Sequence, residues 1–199
     1  MLKTYLTLFR IPSVFSAMSN IWAGYFIVGG SFGIELVAGM LGSALIIMAG
    51  MALNDVADRH IDAKERPGRP IPSGKISSES AARIAYLLMG LSLWVIASQK
   101  LTAILPAILL CYSVHLYNFV LKQTKYGPVS MGVCRVLNLF LGMALGLGQR
   151  SFWGELNLPM LFSLVSLGAY VLLVTYLARD EVTGNTQSRS QKFIMGMVL

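Results

Sequence analysis

The residues best suited to chemistry stand in one run, Asn54-Asp55-Val-Ala-Asp58-Arg59-His60-Ile-Asp62. On a helix turning about 100° per residue, Asp58 lies about 60° from Asp55 and Asp62 about 20° from it, so three carboxylates point the same way. Like charges so placed repel, and water, basic neighbours or a divalent cation must offset the repulsion. Magnesium suits this ligand set: it prefers carboxylate oxygens, keeps several waters and commonly completes its shell with substrate phosphate oxygens. A solvated helix end carrying ordinary charges is the other reading of such a pattern. The surroundings favour a site, because the run follows within one turn of the apolar stretch Leu45-Ile-Ile-Met-Ala-Gly-Met-Ala-Leu53. Acidic groups near hydrocarbon are expensive and usually functional.

Downstream comes Lys64-Glu-Arg66-Pro-Gly-Arg69-Pro70-Ile-Pro72-Ser73-Gly74-Lys75, whose three prolines and two glycines rule out a regular helix and predict a shaped loop. Arg66, Arg69 and Lys75 on such a loop can fold over the carboxylates and bind phosphate oxygens, Arg as a fork and Lys as a point charge. A basic loop that serves membrane topology alone is the alternative. Ser77 or Ser78 is placed to cap the next helix, with Glu79 in its first turn.

The elements that must hold these residues are apolar and long. The chain of 199 residues is 55% hydrophobic and only 13% charged, with a mean hydropathy of +0.65, a balance that a water-soluble core could not hide. Apolar stretches run over Ser13 to Gly30, Leu36 to Leu53, Ala81 to Ala97, Leu101 to Leu121, Val129 to Gly148 and Leu158 to Ala178. Each approaches the roughly 20 residues a helix needs to cross a hydrocarbon core. A seventh begins at Phe193 and stops at Leu199 without a polar exit, which predicts a truncated chain and makes any helix count a lower bound. The expected fold is thus all-α, a polytopic transmembrane bundle of six full spans and the start of a seventh, with residues 1–199 as a single membrane domain. Ser13 to Gly30 has no convincing cleavage site and reads as retained. Cys111 and Cys134 fall inside spans and read as packing residues.

The net charge of +7 follows the loops. Lys3 and Arg10 precede the first span, Arg59 to Arg83 surround the second connection, Lys122 and Lys125 the fourth, and Arg179, Arg189 and Lys192 the sixth; the alternate loops hold only Lys100 and Arg150. The positive-inside rule then puts the N-terminus and the aspartate-bearing loops in the cytoplasm, in the cell (inner) membrane. Topology and contact with membrane lipid account for the charge, with no need of nucleic acid.

The pattern N-D-x-x-D-x-x-x-D followed by R-P-x-P-S-G resembles the first aspartate-rich motif and the following loop of the UbiA-type intramembrane prenyltransferases. Asn54, Asp55, Asp58 and Asp62 fill the motif, and Arg69-Pro70-Ile71-Pro72-Ser73-Gly74 fills the loop. Tyr117-Asn-Phe-Val-Leu-Lys122 is similar to the family's Tyr/Lys segment, with Lys122 as a diphosphate contact. The family's second motif, D-x-x-x-D, falls on Arg179-Asp180-Glu181-Val-Thr-Gly184-Asn185, where Asp180 fills the first place and Gly184 stands in the last. Glu181 and Asn185 are the possible substitutes, but Glu181 serves only if the backbone has left helical geometry. The variant is similar to a divergent branch of the superfamily.

The resemblance implies about nine helices around a cavity and a magnesium-dependent transfer of an isoprenyl group from an allylic diphosphate to an aromatic or other lipophilic acceptor. It implies Asp55, Asp58, Asp62 and Asp180 as catalytic metal ligands, and Asn54, Arg66, Arg69, Tyr117 and Lys122 on the diphosphate side. Arg135 and Asn138, three apart on one helix face at membrane depth, join the substrate-binding set. Asn20, Tyr112 and His115 read as interhelical hydrogen-bonding groups, and Gly142 with Gly146 as a close-packing pair. A non-catalytic protein of the same kind that binds or carries a prenyl lipid is the alternative prompted by the altered second motif. The D-G-x-x-A-R pattern of CDP-alcohol phosphotransferases is absent, and no repeat suggests a transporter.

Overall fold

The computed structural model describes residues 2–148, 150 and 152–182. A short helix α1 (Leu2–Phe9) leads across a corner into α2 (Pro12–Ile27), and α3 (Ile34–Ala57) runs back and continues past a single break into α4 (Arg59–Glu65). After the Pro/Gly loop come α5 (Ser78–Gln99), a 3-10 turn, α6 (Ile104–Leu116), a π turn at Tyr117–Leu121, α7 (Gly127–Gly146), α8 (Phe152–Glu155) and α9 (Leu158–Val182). The described residues contain no strand.

Among the described residues five segments are long and apolar enough to cross a membrane: Ile34–Ala57, Ser78–Gln99, Leu101–Leu121, Gly127–Gly146 and Leu158–Ala178. They correspond to five of the six full spans expected from hydropathy. The sixth, Ser13 to Gly30, becomes α2 with only 16 residues, which at 1.5 Å per residue falls short of a hydrocarbon core of about 30 Å. The cause is local: Pro12 at the first helical position starts the helix, and Gly29 and Gly30 stand just past its end. The seventh stretch, from Phe193 to Leu199, lies outside the described residues.

Ser77 is the residue that caps α5, its Oγ accepting from the Ser80 N–H at 3.1 Å. At the far end, away from the aspartates, Lys100 Nζ donates to the Ala144 carbonyl and Arg150 donates to the Val28 carbonyl at 2.9 Å. The two basic residues of the sparsely charged loops thus satisfy carbonyls at the ends of α7 and α2. Burial, and after it the charge of Arg150, hold the Lys100 ammonium below its usual range.

α3 lies at the centre, packed on α5, α2 and α7, while α7 packs on α2, α6 and α9. Close approach of α2 and α7 rests on small residues, as the Gly142/Gly146 spacing suggests. A Cβ on Gly142 would stand 2.4 Å from the Ile21 carbonyl oxygen, and one on Gly146 2.5 Å from that of Tyr25. Backbone atoms cannot swing aside, so the helices themselves would have to part. Gly142→Ala is therefore expected to destabilise the folded bundle by about 1–3 kcal/mol. Gly90→Ala on α5, where a Cβ meets nothing within 4 Å, is expected to cause no loss; thermal unfolding in detergent compares the two.

Candidate functional site

The end of α3 builds the acidic edge. Asp55 sits in its last turn, Asp58 is the hinge residue at φ −85° and ψ 2°, and Asp62 lies in α4. Helical hydrogen bonds persist across the break, Asp58 N–H to Asn54 O at 2.9 Å and Asp62 N–H to Asp58 O at 2.8 Å. The three carboxylates consequently keep a common side, as their spacing requires. Asp55 and Asp62 are each only 2% exposed, a degree of burial that an ionised carboxylate tolerates only with close partners.

Basic groups from three other parts of the chain supply those partners. Arg10 Nη2 donates to Asp55 Oδ1 at 2.7 Å and to Asn54 Oδ1 at 3.4 Å. Arg69 Nη1 bridges Asp62 Oδ2 at 2.5 Å and Asp55 Oδ1 at 3.4 Å. Lys122 Nζ pairs with Asp58. Every carboxylate of the motif faces a cation, and the buried pair Asp55 and Asp62 shares one.

Each cation is delivered by a local device. Arg10 occupies the corner between α1 and α2 with φ 46°, a left-handed conformation that costs a non-glycine residue about 1–2 kcal/mol and is held here by its ion pair. Arg69 is placed by the Pro/Gly loop, which folds back on itself: Ser73 N–H bonds Arg69 O at 3.0 Å, and Ile76 N–H bonds Pro70 O at 3.2 Å. Gly74 takes φ 73° in that turn, and buried Ile76 anchors it. Lys122 follows the π turn, where its N–H reaches back to Tyr117 O at 2.8 Å. The same turn aims Asn118 inward, its Nδ2 donating to the Gly50 and Val114 carbonyls at 3.3 and 3.0 Å while its Oδ1 accepts from Asn54 Nδ2 at 3.2 Å.

Behind this charged mouth lies a cavity of about 650 Å³. Arg10, Asn54, Asp58, Arg66, Arg69 and Lys122 rim it; Ile46, Ile47, Met51, Leu110, Val114 and Met131 are among its apolar walls. Ser43, Arg135 and Asn138 line it further along α3 and α7, and Ala178 brings α9 to it. Asn138 is fully engaged between helices, accepting from Ser43 Oγ and donating to Ala17 O, both at 2.8 Å. Arg135 Nη1 meets Ser16 Oγ at 3.3 Å.

Of the residues expected from the sequence, Asn54, Asp58, Arg66, Arg69, Tyr117, Lys122, Arg135 and Asn138 line the cavity. Asp55 and Asp62 do not; they lie beneath Arg10 and Arg69. Lys75 is exposed and away from the cavity lining. Among the described residues no three Asp, Glu, His or Cys side chains are grouped to hold a metal. Ion pairing explains this, because each carboxylate has turned toward a cation. The donor set itself fits magnesium, being all oxygen and anionic. The side chain of Asp180 and the whole of Gly184 and Asn185 lie outside the described residues. The backbone of α9 stays helical through Val182, so the departure from helical geometry that Glu181 would need is not met there.

Arg10, Asn118 and Ser43 belong to the site without having been singled out in the sequence. Only Asn118 had a local signal, its place inside the Tyr117 to Lys122 segment.

The sequence profile of the UbiA prenyltransferase family matches residues 17–186. The chain belongs to the UbiA prenyltransferase family. It is 32% identical over 187 residues to a digeranylgeranylglyceryl phosphate synthase of Metallosphaera sedula, a match covering 92% of this chain and 62% of that protein. The chain thus spans less than two thirds of that curated relative's length. A solved structure concerned with digeranylgeranylglyceryl phosphate synthase in membranes superposes with a TM-score of 0.76 at 24% identity, over 92% of this chain and 64% of that one. A UbiA homologue from Archaeoglobus fulgidus bound to GPP and Mg2+ superposes with a TM-score of 0.65 at 18% identity, over 98% of this chain and 83% of that one. These likenesses establish a shared fold.

The shared Arg69 gives a direct test of the charge network. Arg69→Ala leaves Asp62 buried without its counter-ion and is expected to lower thermal stability in detergent, whereas Arg69→Ala made on an Asp62→Asn background costs less. The double-mutant cycle should return a coupling energy of about 1–3 kcal/mol.

Proposed function

We propose that this chain is an intramembrane prenyltransferase that moves an isoprenyl group from an allylic diphosphate to a lipophilic acceptor in the presence of magnesium. One observation carries the reading: a largely apolar cavity of about 650 Å³ is rimmed by Asp58 and by Arg10, Arg69 and Lys122, the cations that pair with the carboxylates of the motif. Apolar walls suit the prenyl chain and the charged mouth suits a metal-bound diphosphate. The GPP and Mg2+ held by the Archaeoglobus homologue support the same ligand classes. The name of the Metallosphaera relative favours an acceptor built on glyceryl phosphate over an aromatic one. The chain works as a single membrane domain, with its N-terminus and aspartate-bearing end facing the cytoplasm of the cell (inner) membrane. Loop charge supports this orientation.

Asp55, Asp58 and Asp62, with Asp180, are the residues that would hold magnesium. When bound, the metal offsets the charge that grows on the departing diphosphate. Arg69, Lys122 and Arg10 release their carboxylates and take phosphate oxygens, a forked contact from Arg and a point charge from Lys. Arg66 and Tyr117 complete the rim, and Asn54 holds the mouth together through Asn118. The allylic carbon–oxygen bond then breaks with its electron pair leaving on the diphosphate. The acceptor's hydroxyl oxygen forms the new bond to that carbon and gives its proton to a diphosphate oxygen or water at the mouth. The apolar walls keep water from the cation that forms between these steps.

Gly184 in the altered second motif favours the alternative, a carrier that binds prenyl diphosphate without turnover. Radiolabelled geranyl diphosphate added, together with a prenyl ether of glyceryl phosphate as acceptor, to the protein in nanodiscs separates the two. The enzyme releases diphosphate only with magnesium, and Asp58→Ala slows release by about 10²–10³-fold; the carrier binds the label and releases nothing.

A further inference from the structure

Among the described residues five cations line the cavity: Arg10, Arg66, Arg69, Lys122 and Arg135. Three of them are ion-paired with the carboxylates of the motif. Among the described residues, Arg66 and Arg135 have no carboxylate within ion-pair reach. Arg66 is exposed at the rim, where water serves it. Arg135 is different.

Its depth follows from helix geometry. Asn138 on α7 is level with Ser43 on α3, to which it is hydrogen-bonded, and Ser43 precedes Asp55 by twelve residues, about 18 Å along the helix. Arg135 is three residues nearer the mouth than Asn138, so its backbone stands roughly 13 Å deeper than Asp55. There Ala17, Ile47, Met131 and Cys134 share the cavity lining with it. The only described hydrogen bond of its guanidinium runs to the Ser16 hydroxyl at 3.3 Å, which leaves most of its five N–H donors without a protein acceptor among the described residues. A cation so placed is costly unless an anion joins it.

We propose that Arg135, steadied by Ser16, is the residue that binds the phosphate of the acceptor's glyceryl phosphate head. This rests on the prenyl-transfer reading of the same cavity and adds to it a second anion site, inward of the one for the donor. The donor's diphosphate has Arg69, Lys122 and Arg10 at the level of the aspartates; Arg135 stands a further two turns or so inward, on α7. Its planar fork matches two oxygens of a phosphate, and the apolar walls beside it accept the acceptor's hydrocarbon chain. One cavity then holds two amphiphiles with their charged heads at different depths, which keeps the acceptor's phosphate from competing for the donor's seat.

The test measures binding and turnover separately, with the full chain in nanodiscs containing magnesium. The probes are a prenyl ether of glyceryl phosphate, the same ether lacking the phosphate, and a thiolodiphosphate analogue of geranyl diphosphate. Wild type should prefer the phosphorylated ether, and Arg135→Gln should weaken that ether by about tenfold or more while the phosphate-free ether and the donor analogue stay within about twofold. Arg135→Lys should recover part of the loss, because it restores charge without the fork. Equal wild-type binding of the two ethers, or an equal loss for the donor analogue in Arg135→Gln, overturns the assignment. Intact selective binding with no turnover on either ether would defeat prenyl transfer and leave the anion site standing.

Discussion

Putting carboxylates at the apolar end of a central helix is the constraint that organises this protein. Asp55 and Asp62 are almost wholly removed from solvent, and buried charge persists only when hydrogen-bonded countercharge surrounds it. The chain draws that countercharge from Arg10 before α2 and from Arg69 on the loop after α4, and Lys122 after the π turn pairs with Asp58 between those aspartates. Three separate segments, two of them more than forty residues away in sequence, are thereby pinned to one helix end. The same groups form the rim of the cavity, so the network that makes the acidic edge tolerable also defines the entrance.

Such a network is poised to exchange. A cation paired with a carboxylate can trade that partner for a phosphate oxygen, and a carboxylate freed in this way can take a metal; the two trades favour each other because each removes the charge that the other exposes. The residues behind the rim are arranged for rigidity instead. Asn138 ties α2, α3 and α7 with both ends of its amide used, and Gly142 and Gly146 let α2 and α7 approach at backbone distance. A mouth of exchangeable ion pairs therefore sits on a firmly packed chamber.

Much of this was legible in the sequence for physical reasons that are local. Helix periodicity aligned Asp55, Asp58 and Asp62, prolines and Gly74 foretold the shaped loop that carries Arg69, and hydropathy located five helices long enough to cross a membrane. What escaped depends on tertiary arrangement. Arg10 looked like a topology-setting charge, and only the corner between α1 and α2 turns it onto Asp55. The three carboxylates seemed equivalent, yet cations drawn from elsewhere bury two and leave Asp58 on the cavity. Ser43, an ordinary small residue in an apolar run, gained meaning only when α7 brought Asn138 beside it.

The central claim is that carboxylates and cations at the mouth stay paired with one another until metal and diphosphate arrive together. Calorimetric titration of magnesium into the reconstituted protein, with and without a non-reacting prenyl thiolodiphosphate, tests this most directly. The account predicts weak magnesium binding to the protein alone and affinity at least about tenfold higher with the diphosphate present. Equal magnesium affinity under both conditions would contradict it.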